Sequence, residues 1–352
     1  MAPVDSPLRL HRLDHLPDGL LDIEARQLHR LLPGPSLLEF PGQDPRPLFV
    51  SVLLHGNETT GWEAVRALLK SYGHKTLPRT LLLLIGNVAA AREGLRRLGN
   101  QPDYNRVWPG TTLPTSAETA LTAELVELMR DRHLFASVDV HNNTGLNPHY
   151  ACVNRLDQRF FRLATLFGRL VVYFSHPKGT QSAAFATLCP TVTLECGKSG
   201  QSYGTEHAMK FLDACLHLHD MPDHPLSPQD IDLYHTVAQV VVGEEASISF
   251  DGEPADLRLD ARLDHLNFTE LAPGTVLGTL DPDYPHLPVL ARNEAGENVT
   301  DDFFDAADGR LVLKRHAMPS MLTLDTRIIR QDCLCYLMER MLLPAADPAG
   351  RR

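Results

Sequence analysis

Apolar residues first gather without interruption at residues 48–54 (LFVSVLL); the run stops at His55 and turns through Gly56 and Asn57 into a helical segment, 58–70. A second block, 80–86 (TLLLLIG), has turn residues on both sides, the pattern of a strand buried on both faces of a parallel sheet. Residues 135–141 (FASVDVH), 149–153 (HYACV), 170–174 and 191–195 (TVTLE) read as further strands, and 117–132, 157–167 and 203–219 as helices. In the first of these helices Leu121, Leu125, Leu128 and Met129 share one face, and Thr115 and Glu118 have the spacing of a capping box. Upstream lie a short helical pattern at 20–32 and the segment LLEFPGQDPRP, read as an edge strand and a turn. Strand, helix and strand alternate, which predicts an α/β domain.

Two stretches break the alternation. Between 88 and 110 glycine and proline interrupt the pattern while Arg92, Arg96, Arg97 and Arg106 accumulate, so a long loop over the strand ends is expected. At 221–230 the proline-rich MPDHPLSPQD ends the alternating region, and the short β-like runs VAQVVV, ASISF, TVLGTL and RLVLKR follow. The expected organisation is an α/β domain at 1–225, a small β-rich domain at 231–330, and a terminal helix (333–343) with a polar tail within 331–352.

Composition narrows the class. At 43% hydrophobic and 22% charged, 352 residues can build a large core, and a net charge of −11 leaves no electrostatic footprint for nucleic acid or an anionic membrane. No apolar run approaches the ~20 residues of a membrane span, and the first residues carry Asp and Pro where a signal peptide has basic and then apolar segments. A cytoplasmic protein is expected. The six cysteines form no CxxC pair and read as reduced thiols.

The strand ends carry the chemistry. His55 and Glu58 lie three apart across a turn, so an imidazole and a carboxylate can converge; one HxxE alone is more often a solvated pair than half a metal site. His141 ends another strand, with Asp139 two positions earlier on the same face to orient the chemistry there. His55, Glu58 and His141 together make a three-ligand zinc set that leaves one position open to water. Glu195 ends a third strand before Gly197 and suits a proton-transfer role beside the metal. Cys215, His217, His219 and His224 form a second cluster, but His217 and His219 point to different helix faces, so a surface reading is favoured. Cys196 has no cationic neighbour except Lys198 and is not expected to act as a nucleophile.

HGNET, DYNRVW (103–108), DVHNNT and LECGK, in this order and at these separations, resemble the succinylglutamate desuccinylase and aspartoacylase family, a branch of the zinc carboxypeptidase superfamily. The resemblance spans roughly residues 48–210, and LNFTELAPGTVLGTL (266–280) resembles that family's C-terminal β domain. It implies a mixed, mainly parallel sheet flanked by helices, with a smaller β-rich domain whose residues beyond 230 fold over the cleft. It also implies one zinc per chain on His55, Glu58 and His141, with Glu195 as general base. Asn105 and Arg106 would hold the substrate's α-carboxylate, a role that suits a guanidinium fork beside an amide. An upstream arginine would polarise the scissile carbonyl. That arginine is Arg96 or, because RLGNQPD runs about two residues longer than the family pattern, Arg97. Residues 181–190 lack the arginine with which aspartoacylases hold a second carboxylate, while LECGK is closer to the desuccinylase branch. Lys198, His149 and Tyr150 are further candidates near the acyl group.

The expected function is zinc-dependent hydrolysis of an amide bond, releasing an acyl group from an N-acyl amino acid or related small carboxylate. A zinc carboxypeptidase acting on short peptides and a non-catalytic metal- or ligand-binding relative are the alternatives. The expected partner is that small molecule, with no nucleic acid or membrane, and a homo-oligomer stays open.

Overall fold

The computed structural model describes residues 8–222 and 225–344. The first of two compact units comprises the described residues of Met1–Asn142, His149–Asp232 and Leu343–Arg352. Its strands are β1 (His11–Leu13), β2 (Ser36–Phe40), β3 (Gly42–Val52), β4 (Leu77–Ile85), β5 (Ala136–His141), β6 (Tyr150–Val153), β7 (Leu170–Tyr173) and β8 (Thr191–Glu195). They pair in the order β1-β2-β4-β3-β5-β8-β6-β7. Only β2 with β4 and β6 with β8 run antiparallel, so the sheet is mixed and mainly parallel. The helices are α1 (Thr60–Tyr72), α2 (Val88–Glu93), α3 (Ala117–Arg130), α4 (Gln158–Phe167), α5 (Gln181–Phe185) and α6 (Ser202–His217).

The unbroken apolar runs are unbroken because both faces of the central strands are covered. Phe49, Leu82 and Leu84 pack with Leu125, Val126 and Met129 of α3, with Phe185 of α5 and with Trp108. On α1, a Cβ at Gly61 would stand 2.9 Å from a methyl of Val52 and 3.0 Å from Cβ of Val140, so the absence of a side chain lets this helix lie directly on β3 and β5. The sheet centre is β3, β5 and β8, parallel and adjacent, with His141 opposite Glu195 in register. Their carboxyl ends deliver His55, His141 and Glu195 to one rim.

Several elements differ from the sequence-based expectation. Helix α1 begins at Thr60, so Glu58 sits in a turn closed by its N–H donating to His55 O (3.1 Å). The capping box is formed by Ser116 and Thr119, one residue beyond the Thr115 and Glu118 spacing. The 20–32 pattern resolves into two short 3-10 turns, Leu20–Asp22 and Ala25–Arg30. The arginine-rich loop contains α2, and β2 is not an edge strand because β1 pairs outside it.

The second unit, Asn143–Pro148 and Leu233–Leu342, is β-rich. β9 (Asp232–Val242), β10 (Ile248–Ser249), β11 (Leu257–Leu259), β12 (Val276–Leu280), β13 (Val289–Arg292), β14 (Phe304–Ala307), β15 (Arg310–Leu313), β16 (Met318–Ser320) and β17 (Cys335–Arg340) are its strands. One sheet has the order β10-β11-β12-β15-β14; β17 pairs with both β9 and β16, and β13 pairs with β9. Val240, Leu257, Leu311 and Leu337 share the core. The helix expected at 333–343 is therefore a strand. Cys335, Tyr336, Leu337 and Met338 are all buried, so the run lacks the alternation that separates strand from helix, and pairing with β9 and β16 decides its conformation. The tail beyond Pro344 lies outside the described residues. Among the described residues no helix is long and apolar enough to cross a membrane.

The turn at Gly56 is packed with no room for a side chain: a Cβ there would lie 2.2 Å from the backbone nitrogen of Ala91 in α2. Gly56→Ala is expected to destabilise the protein by about 1–3 kcal/mol, read as a lower denaturant midpoint at unchanged slope. An unchanged midpoint would mean that α2 yields freely.

Candidate functional site

The chain leaves β3 through Leu53, which holds φ at 56°, a left-handed conformation that a leucine adopts at a cost of about 1–3 kcal/mol. At the kink Leu53 O still accepts the N–H of Asn87 (2.7 Å), and His55 follows two residues later at the rim. His55, Glu58 and His141 are 3%, 6% and 4% exposed, and one ligand atom from each lies within 4.8 Å of the others. Glu58 joins the two imidazoles: Oε1 lies 2.8 Å from His55 Nδ1, and Oε2 lies 2.7 Å from His141 Nδ1.

Both imidazoles are held from behind. His55 Nε2 meets Asp103 Oδ1 at 2.9 Å, and His141 Nε2 meets Asp139 Oδ2 at 2.7 Å, the contact that their same-face spacing on β5 predicts. Asp139 in turn accepts the hydroxyl of Ser51 (2.7 Å), its register neighbour on β3. A carboxylate behind each imidazole fixes the ring orientation and raises its basicity as a ligand. Two imidazoles and a carboxylate, buried and convergent, fit the donor set that holds a divalent transition metal.

Charge here is balanced locally. Burial opposes ionisation of Glu58 and of Asp103, but the imidazoles outweigh it at Glu58, and His55 with Arg96 outweighs it at Asp103; both carboxyls are held below the usual carboxylate range. Burial and Arg96 oppose a charge on His55, yet Glu58 and Asp103 raise its pKa. Burial also opposes a charge on His141, and Asp139 and Glu58 raise its pKa well above the ordinary histidine value. The carboxylates thus favour the charged form of both imidazoles, as they would favour a cation held between them.

The structure turns Arg96 toward this cluster and Arg97 away from it. Arg96 Nε and Nη2 donate to Asp103 Oδ2 at 3.1 and 3.0 Å, and Nη1 lies 3.4 Å from Glu58 Oε1. Arg97 donates to Gln101 O within its own loop (2.8 Å). Asn105 is buried, with its amide nitrogen 3.2 Å from His141 Nε2 and its oxygen accepting the N–H of Gln181 (2.9 Å). Arg106 is half-buried and donates to Asn105 O (2.9 Å), and its charge helps to lower the Asp103 pKa.

Glu195 is buried between His141 on β5 and Tyr150 on β6. Its charge adds to burial in pushing the thiols of Cys152 and Cys196 well above the ordinary cysteine range, so neither is poised as a nucleophile. Lys198 lies on the turn after Glu195. His149 joins an aromatic stack: its ring packs against Phe167 and Tyr203, and Nδ1 meets Nδ1 of His207 at 2.7 Å. His217 and His219 are surface side chains held by Asp213 and Asp220; His224 lies outside the described residues.

Sequence reasoning missed Asp103, Ser51, Gln181 and Asn142. Asp103 carried one usable signal, a carboxylate two residues before the Asn105 and Arg106 pair. Each of the others bonds to partners distant in the chain: Ser51 to Asp139, Asn142 to Thr60 and Gly197, Gln181 to Asn105.

A model of the succinylglutamate desuccinylase/aspartoacylase catalytic domain matches residues 46–221. Among solved structures, the succinylglutamate desuccinylase of Chromobacterium violaceum is 20% identical, covering 88% of this chain and 89% of that one, with a TM-score of 0.56. The Vibrio cholerae succinylglutamate desuccinylase is 16% identical over 86% and 85%, with a TM-score of 0.59. Murine aminoacylase 3 is 14% identical over 85% and 96%, with a TM-score of 0.53. At these identities the structural likeness is one of fold.

Because zinc takes imidazole in its neutral form and the pKa values of His55 and His141 are raised, binding of zinc to metal-free protein is expected to release about one to two protons near pH 7. Calorimetry in buffers of different ionisation enthalpy reads this number. Affinity should fall about ten- to hundredfold per pH unit on acidification, and the raised histidine pKa values carry that dependence above pH ~7.5, where ordinary imidazoles have ceased to titrate. Zinc affinity independent of pH would contradict binding at these side chains.

Proposed function

The chain belongs to the succinylglutamate desuccinylase/aspartoacylase family, and on that premise we propose that it is a zinc-dependent amide hydrolase that removes an acyl group from an N-acyl amino acid or a related small carboxylate. The observation that carries this reading is the buried His55, Glu58 and His141 cluster. Its imidazoles are backed by Asp103 and Asp139, and Glu195 lies on the adjacent strand.

His55, Glu58 and His141 would hold one zinc ion, which supplies Lewis acidity when bound: it polarises a carbonyl and makes water nucleophilic at neutral pH. The protein's own groups supply the rest. Asn105 and Arg106 bind the substrate's α-carboxylate and set the amide in place. Arg96, immobilised by Asp103 and Glu58, presents a guanidinium to the carbonyl oxygen as it gains negative charge, with no reorganisation required at that moment. Glu195 takes a proton from the attacking water as its oxygen bonds to the carbonyl carbon. It then gives that proton to the nitrogen as the carbon–nitrogen bond breaks, releasing a carboxylic acid and an amine.

Glu195→Gln preserves shape and removes the proton acceptor, so kcat on a panel of N-acetyl, N-succinyl and N-formyl amino acids should fall about 10²- to 10⁴-fold at unchanged zinc content. Retained turnover with zinc bound would remove Glu195 from this role. Arg106→Ala should act mainly through KM, as loss of binding common to ground and transition states does. Rapid cleavage of blocked dipeptides, with none of the acyl-amino acids cleaved, would assign a carboxypeptidase instead.

A further inference from the structure

Asn142 directly follows His141 and is 6% exposed, and its amide reaches in two directions. Toward α1, Oδ1 accepts the N–H of Thr60 (3.2 Å) and Nδ2 donates to the Thr60 hydroxyl (2.9 Å). Toward β8, the same Nδ2 donates to the carbonyl of Gly197 (2.8 Å), two residues beyond Glu195. The backbone N–H of Asn142 donates to Glu58 Oε2 (3.1 Å), so the residue also touches the metal cluster directly. Both amide protons are engaged, and replacing the side chain by an apolar one leaves buried groups of Thr60 and Gly197 unpaired.

These bonds fasten the turn that follows Glu195 to the turn that follows Glu58. The chain leaves β8 with the N–H of Cys196 donating to His141 O (3.0 Å) and swings through Gly197 at φ +70°. Beyond it, Ser199 Oγ meets the N–H (3.2 Å) and hydroxyl (2.9 Å) of Thr59 at the surface. Strand register sets the height of Glu195 beside His141, and the Asn142 bond to Gly197 fixes the path of the chain immediately after it. A proton carrier must stay within hydrogen-bond reach of its partners, and a misplacement of about 1 Å costs on the order of a hundredfold in rate.

We propose that Asn142 is a positioning residue for the hydrolysis, its amide spanning Thr60 and Gly197 so as to hold Glu195 at working distance from the metal centre. The role rests on the reading of Glu195 as proton carrier. A tie that served only to stabilise the fold would act on unfolding and leave turnover of the folded, metal-loaded protein alone.

Three variants separate these roles. Asn142→Ala removes every side-chain bond. Asn142→Asp keeps the shape and the acceptor for Thr60 N–H but replaces the donor to Gly197 O by an oxygen. Thr60→Val removes only the hydroxyl acceptor and leaves both the backbone N–H bond to Asn142 Oδ1 and the Gly197 bond. Measured at saturating zinc, both Asn142 variants should lose about 10- to 100-fold in kcat with KM within about threefold and zinc content retained, whereas Thr60→Val should stay within about threefold of wild type. Hydrogen–deuterium exchange of peptides covering 196–201 should accelerate in both Asn142 variants and not in Thr60→Val. Unchanged kcat in the Asn142 variants, unchanged exchange, or loss of activity in proportion to zinc would each overturn the proposal. A wild-type protein that binds zinc but hydrolyses none of the panel would fail the hydrolase reading instead, and the exchange rates would then decide alone whether Asn142 holds the turn.

Discussion

Glu58 accepts from two imidazoles at once, one on each carboxylate oxygen, and the surroundings of the site follow from keeping that arrangement buried. An ionised carboxylate out of water is stable only when paired and fully hydrogen-bonded, and removing one partner of such a pair typically costs about 3–5 kcal/mol. Each imidazole therefore needs a second carboxylate behind it, and each of those needs its own donor: Arg96 for Asp103, Ser51 for Asp139. Compensation spreads outward from the centre until it reaches backbone. Along the way it immobilises Arg96, so the pairing around Glu58 also orients a guanidinium beside the cluster.

The rim geometry has a simple origin in the sheet. Three neighbouring parallel strands point the same way, so their carboxyl ends lie side by side, and each contributes one group by ending where it does: β3 before His55, β5 at His141, β8 at Glu195. Packing fixes these endpoints. Gly61 lets α1 lie on β3 and β5, and Gly56 lets the ligand turn press against α2, so the small residues near the site set its spacing as surely as the charged ones set its chemistry.

Much of this was legible in the chain. Doubly buried strands announce themselves as unbroken apolar runs, and a charged residue that ends such a run stands out because packing does not explain it; His55, His141 and Glu195 were all found this way. Asp139 was legible from its two-residue spacing to His141. The contacts of Asn142 and Gln181 were not, because their partners at Thr60, Gly197 and Asn105 are brought to them only by the fold. Which of Arg96 and Arg97 faces the cluster likewise depends on loop direction, which adjacent arginines do not encode. The same limit explains the strand at Cys335–Arg340: a run buried all round carries no period, and its partners settle its conformation.

The strand order has a consequence for how the protein comes into being. The groups gathered at the rim come from chain positions near 55, 141 and 195, and each joins the site only when its strand has found a parallel neighbour across a long crossover. Such pairings form late, because loop-closure entropy must be met before they yield any contact. A nascent chain thus carries His55 and Glu58 long before His141 and Glu195 join them, and the cluster is complete only once the central strands have paired. On the proposed zinc reading, the ion would act afterwards as a latch, selecting the completed sheet and withdrawing it from the equilibrium with open forms.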